Sequence, residues 1–107
     1  MNKFKFDKNT SKLFEAILSL GNIKEAERFF RDLCTVEELK AMSERWQVVG
    51  LLAKGLSYRK ISEELNVSTT TVTRVAAWFN NGEGGYSAVL EKLNNHHNSG
   101  FRKKGLD

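Results

Sequence analysis

The chain has 107 residues, with 17 Lys and Arg, 13 Asp and Glu, a net charge of +4, one cysteine and no proline. This length fits about one domain, and no apolar stretch resembles a signal peptide or reaches the length of a membrane span. A lone cysteine, Cys34, cannot form an intrachain disulfide, which suits a reducing compartment. We therefore expect a cytoplasmic protein with no membrane partner.

The apolar residues follow helical rather than alternating spacing, which predicts an all-α fold. A basic arm at residues 1–10 precedes a first helix at Ser11–Leu20, whose apolar residues are crowded onto a broad surface. Gly21 ends this helix, and a second helix is predicted at Ile23–Leu33. A single chain of this size can bury a core, although dimerisation would help it.

A third helix has a defined start and end in the sequence. Thr35, followed three residues later by Glu38, forms a capping box. The helix is predicted to run to about Lys54, with Gly55 as its C-terminal cap. Its expected buried residues are Leu39, Met42, Trp46, Val49 and Ala53.

The next segment, Tyr58–Trp78, has the apolar spacing of a helix-turn-helix. Two short helices that meet at a steep angle need a small residue at the close approach and a turn residue that tolerates a left-handed backbone, and Ser62 and Asn66 suit these roles. Ser68 is a predicted N-cap, so the second helix should begin at about Thr69. The apolar positions are Ile61, Leu65, Val67, Val72 and Val75.

The exposed face of this motif indicates double-stranded DNA as a partner. Threonines are poor helix formers, so a Thr-rich run at a helix start is not explained by stability. Short hydroxyls there can approach phosphates and base edges, with longer cationic side chains around them. The alternative is a helical corner with a solvated polar face. The residues concerned are Thr69, Thr70, Thr71, Thr73, Arg59, Lys60 and Arg74.

A turn cluster at Asn80–Gly85 separates the motif from a last predicted helix at about Tyr86–Leu93. The domain is therefore expected at residues 11–93, followed by a polar, flexible tail at residues 94–107. His96 and His97 stand in this tail without other ligands at metal-binding spacing, so we expect no metal site.

The sequence has no phosphate-binding glycine loop, no metal-ligand cluster and no catalytic constellation. We expect no enzyme activity, no catalytic residue and no cofactor. The alternative to a DNA-binding regulator is a structural or adaptor module whose helical corner docks a partner protein, with incidental DNA binding. An apolar outer face on the motif would favour the adaptor, whereas the hydroxyl and cationic face favours DNA.

Residues Leu33–Leu93 resemble the Trp repressor superfamily, and within it the YerC/YecD branch of Trp repressor-like proteins. The resemblance is carried by LCTVEEL before a long helix, by YRKISEELNVSTTTVTRV, and by NNGEGGY followed by VLEKL after two residues. It implies six helices, an intertwined homodimer built from the helices outside the motif, and two reading heads that face successive major grooves. The alternative is a monomeric core, but the crowded apolar surface of the first helix favours the dimer. On this basis the residues expected to lie partly between subunits are Leu13, Phe14, Ile17, Phe29, Phe30, Trp46, Leu90 and Leu93. The implied function is a transcriptional regulator, expected to be a repressor, that binds a roughly palindromic site.

The resemblance also implies which residues contact an operator. The matching positions are Tyr58 and Arg59 on the first motif helix and Thr69, Thr70, Thr71 and Thr73 on the second, next to the cap residue Ser68. We expect Arg59 to contact a base, because a bidentate guanidinium–guanine pair is the commonest specific contact. Lys54, Lys60 and Arg74 are expected to contact phosphates, which position a protein without reading sequence.

The sequence departs from the family pattern at the residues that correspond to the corepressor pocket of Trp repressor. In Trp repressor the corepressor indole lies between two arginines, and Arg45 and Arg74 occupy the matching positions. Two small residues of that pocket are replaced by Val75 and Trp78, which are expected to fill the cavity. We therefore predict a vestigial pocket and DNA binding that does not depend on L-tryptophan, with any other effector left open.

Overall fold

The computed structural model describes residues 5–102, with side chains described for residues 5–95. Six helices and no strand are found in that range, which confirms the predicted all-α, six-helix fold. None of these helices is both long enough and apolar enough to cross a membrane. The helices are α1 (Lys8–Leu18), α2 (Ile23–Leu33), α3 (Val36–Ala53), α4 (Tyr58–Leu65), α5 (Thr69–Asn81) and α6 (Gly85–Arg102).

The chain divides into two units, residues 1–40 and residues 41–107. In the first unit, α1 begins at Lys8, three residues before the predicted start, because Asp7 caps it. The Asp7 carboxylate accepts hydrogen bonds from the Thr10 amide at 2.8 Å and the Thr10 hydroxyl at 2.9 Å. Both bonds favour the charged carboxylate, so they lower the pKa of Asp7. Residues 1–4 of the predicted basic arm lie outside the described residues.

The apolar side chains of α1 and α2 are half-buried or exposed. Neither helix contains a buried residue, and Leu18 and Ile23 are 83% and 76% exposed. The bounds of α2 agree with the prediction, since Asn22 caps its start by accepting a hydrogen bond from the Glu25 amide at 2.9 Å. The first unit therefore presents an apolar surface that its own residues do not cover.

The predicted capping signals of α3 are confirmed at both ends. The Glu38 amide donates to the Thr35 hydroxyl at 3.0 Å, and the Thr35 amide donates to the Glu38 carboxylate at 2.8 Å. At the other end, Gly55 has a φ of +89°, which suits a residue without a Cβ atom. The Leu56 amide donates to the Leu51 carbonyl at 3.2 Å, so the helix closes with a Schellman turn.

The core of the second unit lies between α3, α4 and α5. Ile61, Val72 and Val75 of the motif are 1% exposed or less, and Leu65 and Val67 pack against them, which confirms the predicted motif core. From α3, Val49 is buried as expected, together with Val48, which the spacing did not single out. Trp46 and Ala53 are exposed instead. The run from Val48 to Ala53 is apolar almost throughout, so its periodicity could not select the buried face.

The last helix, α6, packs against α5, and its Tyr86 and Leu90 contact the core. It continues to Arg102, beyond the predicted end at Leu93. The chain contains no proline that would end it earlier. The side chains of His96 and His97 and all of residues 103–107 lie outside the described part, so the polar tail and the domain boundaries stay predictions.

Candidate nucleic-acid interface

The first motif helix, α4, presents a cationic first turn. Ser57 caps the helix by accepting a hydrogen bond from the Lys60 amide at 3.1 Å. Tyr58, Arg59 and Lys60 follow in the first turn, and all three side chains are exposed. The structure therefore places three of the predicted contact residues side by side at the start of one helix.

The turn between the two helices has the geometry that the sequence predicts. Asn66 adopts a left-handed backbone, with φ 56° and ψ 47°, and its amide donates to the Ser62 carbonyl. The Ser62 hydroxyl donates to the Val67 carbonyl at 2.6 Å, and the Val67 amide donates back to the Ser62 carbonyl at 3.1 Å. These bonds fix the short connection between α4 and α5, so the angle between the two helices is locally specified.

The second motif helix, α5, begins at Thr69 as predicted, with Ser68 as its N-cap. The Ser68 hydroxyl accepts a hydrogen bond from the Thr71 amide at 3.0 Å and lies 3.0 Å from the Thr71 hydroxyl. Thr71 is half-buried and engaged in the cap, whereas Thr69, Thr70 and Thr73 are exposed. The predicted threonine set thus separates into three hydroxyls open to a ligand and one that supports the helix start.

The opposite face of α5 holds this helix against the core. Val72, Val75 and Ala76 are 2% exposed or less, and α5 packs against α4. Ala76 was not among the predicted buried residues, although its spacing of four from Val72 gives it the same helical face. Because one face is buried, the polar side chains of the other face are presented outward together.

The cations of the motif differ in their pairing. Arg59 Nε lies 3.4 Å from a Glu63 carboxylate oxygen, one helical turn along α4. Lys54, Lys60 and Arg74 are exposed, and none of them has an ion pair among the side chains that the structure describes. Glu63 was not a predicted site residue, although its spacing of four from Arg59 is a signal that sequence reasoning could have used.

A cavity of about 170 Å³ lies beside α5, between α3 and α5. Arg45, Arg74, Val75 and Trp78, the predicted remnants of a ligand pocket, all line it, together with Ala41, Glu44 and Thr71. We expected Val75 and Trp78 to fill this space, but Val75 is turned into the core and Trp78 is 42% exposed. A small cavity therefore remains, below the roughly 300–1,000 Å³ of most ligand pockets.

The described residues contain no cluster of three or more His, Cys, Asp or Glu side chains that could hold a metal ion. The start of α5 carries exposed hydroxyl groups, and the start of α4 carries exposed guanidinium and ammonium groups. Such groups bind phosphate oxygens and base edges. The exposed face of α4 and α5 is therefore a candidate nucleic-acid interface.

Comparisons with known proteins agree with this geometry. The family described as Trp repressor protein matches residues 8–94. YerC of Bacillus subtilis, which is described as uncharacterized, is 38% identical over 86 residues, covering 80% of this chain and 83% of YerC.

Two crystal structures have similar folds. The TrpR-like protein from Eubacterium eligens has a TM-score of 0.79 and 39% identity, covering 82% of this chain and 91% of that one. A proposed Trp repressor from Staphylococcus aureus has a TM-score of 0.79 and 37% identity, covering 83% of this chain and 89% of that one. The chain therefore belongs to the Trp repressor family, in the branch that contains YerC.

Proposed function

We propose that this protein is a homodimeric transcriptional regulator, acting as a repressor in the cytoplasm, that binds specific double-stranded DNA sites through its helix-turn-helix. The observation that carries this proposal is the exposed face of α4 and α5, where hydroxyl and cationic side chains stand together above a fully buried apolar face. Family membership supports the same function, since the matched family is that of the Trp repressor protein.

Within this proposal the contact residues have two roles. Arg59 reads a base pair in the major groove, helped by Tyr58 beside it and by the threonines at the start of α5. Lys54, Lys60 and Arg74 bind phosphates, which positions the protein and makes its affinity depend on salt. Ser68 and Thr71 hold the start of α5, and the exposed Ser68 side chain adds a hydroxyl that can meet the DNA backbone.

A homodimer would present two such reading heads to a site with two-fold symmetry. The exposed apolar residues of α1 and α2 support this assembly, because monomeric soluble proteins rarely expose large contiguous apolar surfaces. Phe14, Leu18, Ile23 and Leu33 are all exposed in this unit. A second copy that covers them matches the intertwined dimer that the resemblance implies.

The regulator is proposed to work without L-tryptophan. The cavity lined by Arg45, Arg74, Val75 and Trp78 has about 170 Å³, and ligand pockets commonly need about 300 Å³ or more. Added L-tryptophan should therefore leave DNA affinity unchanged. A different small-molecule effector remains compatible with the proposal.

An adaptor module is the alternative from another functional class. It would dock a partner protein through apolar side chains on the outer face of the motif. Tyr58 and Trp78 are large, partly exposed aromatic residues in the motif, whereas the remaining outer positions are mainly hydroxyl-bearing or charged. This composition supports DNA as the partner.

The proposal is tested by comparing Arg59→Ala and Lys60→Ala in equilibrium binding to a preferred duplex and to scrambled duplexes, between about 50 and 200 mM salt. Arg59→Ala should reduce the preference by roughly 1–3 kcal/mol, the usual contribution of a bidentate base contact. Lys60→Ala should weaken binding to all duplexes alike and reduce the salt slope by about one, because it removes one phosphate-binding charge. Lys24→Ala, an exposed charge change in α2, is the matched control and should alter neither quantity.

Unchanged affinity in both motif variants would refute the motif as the reading head. The adaptor role would replace the regulator if the protein bound a protein partner, rather than DNA, through Tyr58 and Trp78.

A further inference from the structure

The pairing of Arg59 with Glu63 has no evident stabilising purpose. The two side chains are 88% and 61% exposed, and solvent-exposed ion pairs contribute little to folding. Their order along α4 is also the weaker one, since helices favour an acidic residue that precedes the basic residue by four positions. The pair is therefore better explained by what it does to the Arg59 side chain than by the stability of the helix.

The geometry of the pair divides the guanidinium into an occupied edge and a free edge. Glu63 contacts Nε, and a guanidinium carries five N–H donors in a rigid plane. The two terminal nitrogens keep four donors that Glu63 does not use in this contact. A bidentate contact with the O6 and N7 atoms of guanine requires two of them.

We propose that Glu63 is a positioning residue for base readout: it holds Arg59 by its Nε edge and leaves the terminal nitrogens free for a base pair in the major groove. This inference rests on the proposed function. Arg has a long side chain whose many rotamers must be restricted on binding. A contact that restricts them before DNA arrives lowers this cost at the correct site.

The carboxylate has a second effect, on binding to the wrong sites. The sequence-independent part of DNA affinity comes from positive charges that neutralise phosphates. Glu63 offsets the charge of Arg59, so Arg59 adds little to this general attraction while its directional donors remain available. Because this attraction acts on every duplex alike, the charge effect lowers general affinity, whereas the gain in specificity comes from the restricted Arg59 side chain.

Two other cations of the motif, and Lys54 just before it, provide the contrast. Lys54, Lys60 and Arg74 have no carboxylate partner among the side chains that the structure describes. They keep their full positive charge, as phosphate contacts require. Among the described residues of the motif, Arg59 is the cation with an acidic partner. It is also the cation assigned to a base, whereas the unpaired cations are assigned to phosphates and supply general affinity.

The test compares Glu63→Ala, Glu63→Gln and Glu64→Ala with the wild-type protein. The measured quantity is the ratio of affinities for a selected duplex and a scrambled duplex at the same salt concentration. Glutamine removes the charge but keeps an oxygen that can accept the Arg59 Nε–H, whereas alanine removes both. Glu64 is the matched control, because it is exposed on the same helix and has no hydrogen bond or ion pair among the described residues.

We expect Glu63→Ala to lower the ratio by about two- to fivefold, because an exposed ion pair at this spacing can contribute no more than that. Glu63→Gln should lower it by less than Glu63→Ala does, since the hydrogen bond is retained. Glu64→Ala should leave the ratio unchanged, even if it raises affinity for every duplex. A fall in the Glu64→Ala ratio as large as that of Glu63→Ala would overturn the inference, and so would an equal loss in Glu63→Gln and Glu63→Ala.

An NMR measurement on the free protein provides a readout that needs no DNA. Hydrogen exchange at the Arg59 Nε–H should be slower in the wild type and in Glu63→Gln than in Glu63→Ala. Equal exchange in all three would overturn the inference, whatever the DNA results. If the wild-type protein retained the pair but bound all duplexes with equal affinity, the proposed function would be overturned, and the positioning role would fall with it. A discriminating wild type with an unaltered Glu63→Ala ratio would overturn the positioning role alone.

Discussion

The left-handed turn residue Asn66 allows a direct test of how the motif is built. Its φ of 56° and ψ of 47° lie in the region that L-amino acids other than glycine avoid, with asparagine as a common exception. The side chain is exposed and makes no hydrogen bond among the described residues. A substitution should therefore act on stability almost entirely through the backbone conformation.

The expected magnitude follows from the cost of placing a Cβ-bearing residue in this region, about 1–2 kcal/mol. Part of this cost is already present in the wild type, so Asn66→Ala should lower the free energy of unfolding by about 1 kcal/mol. Asn66→Val should lower it further, because β-branched residues are the poorest in this conformation. Asn66→Gly should change it by no more than about 0.5 kcal/mol, since glycine relieves strain but gains entropy in the unfolded chain.

Urea and thermal unfolding followed by circular dichroism would measure these differences at one fixed protein concentration, because a dimer makes the melting temperature depend on concentration. A loss of about 1 kcal/mol corresponds to roughly 4 °C in a chain of about 100 residues. Asn80→Ala is the control: Asn80 is exposed within α5, so alanine should stabilise slightly through its helix propensity. If Asn66→Ala were as stable as the wild type, or if Asn66→Gly were destabilised by more than about 1 kcal/mol, the backbone explanation would be refuted.

Three other predictions concern single contacts. Ser68→Ala removes the cap of α5 and should lower the free energy of unfolding by about 1 kcal/mol. Asn22→Ala removes the cap of α2 and should lower it by about as much. Only the Ser68 variant should also weaken DNA binding in a titration. A Cβ atom at Gly82 would lie 2.5 Å from the Trp78 carbonyl oxygen. Gly82→Ala should therefore lower the free energy of unfolding, measured in urea, by about 1–3 kcal/mol. Gly85 has open space around it, so Gly85→Ala should cause no such loss. The hydrogen bonds from Thr10 lower the pKa of Asp7 in the folded protein below the ordinary 3.8. The cap therefore stabilises folding above pH 3.8 and loses its effect as the pH falls through the lowered pKa. An NMR titration that gave Asp7 a pKa at or above 3.8 would contradict this.

The local signals of this sequence predicted the motif well because each depends on a residue and its near neighbours. Ser68, Asn66, Gly55 and the Thr35–Glu38 box all act within one helical turn or one connection, and the structure has each of them in its predicted place. The exposed hydroxyl and cationic face follows from the same periodicity. Much of the fold and the outline of the site were therefore accessible from sequence.

Other features depend on information that spacing does not contain. Val48 is buried while Ala53 is exposed, because the apolar end of α3 offers several possible faces and only packing against α4 and α5 chooses one. The space beside Arg45 and Arg74 stays partly open although Trp78 lines it, since residue volume alone does not encode the rotamer that decides how much of a cavity a side chain fills. Asp7 was overlooked as a cap because polar and apolar residues alternate before it, with no helical pattern.

Selection of duplexes from a random DNA pool would show whether the protein binds specific sites through a two-fold symmetric pair of motifs. The purified full-length chain would be used at near-physiological salt without any added ligand, and the bound duplexes would be sequenced, with Arg59→Ala in parallel. We expect enrichment of a palindromic site whose half-sites lie about one helical turn apart, with a weaker or altered preference in the variant. No enrichment, with or without L-tryptophan, would contradict this expectation.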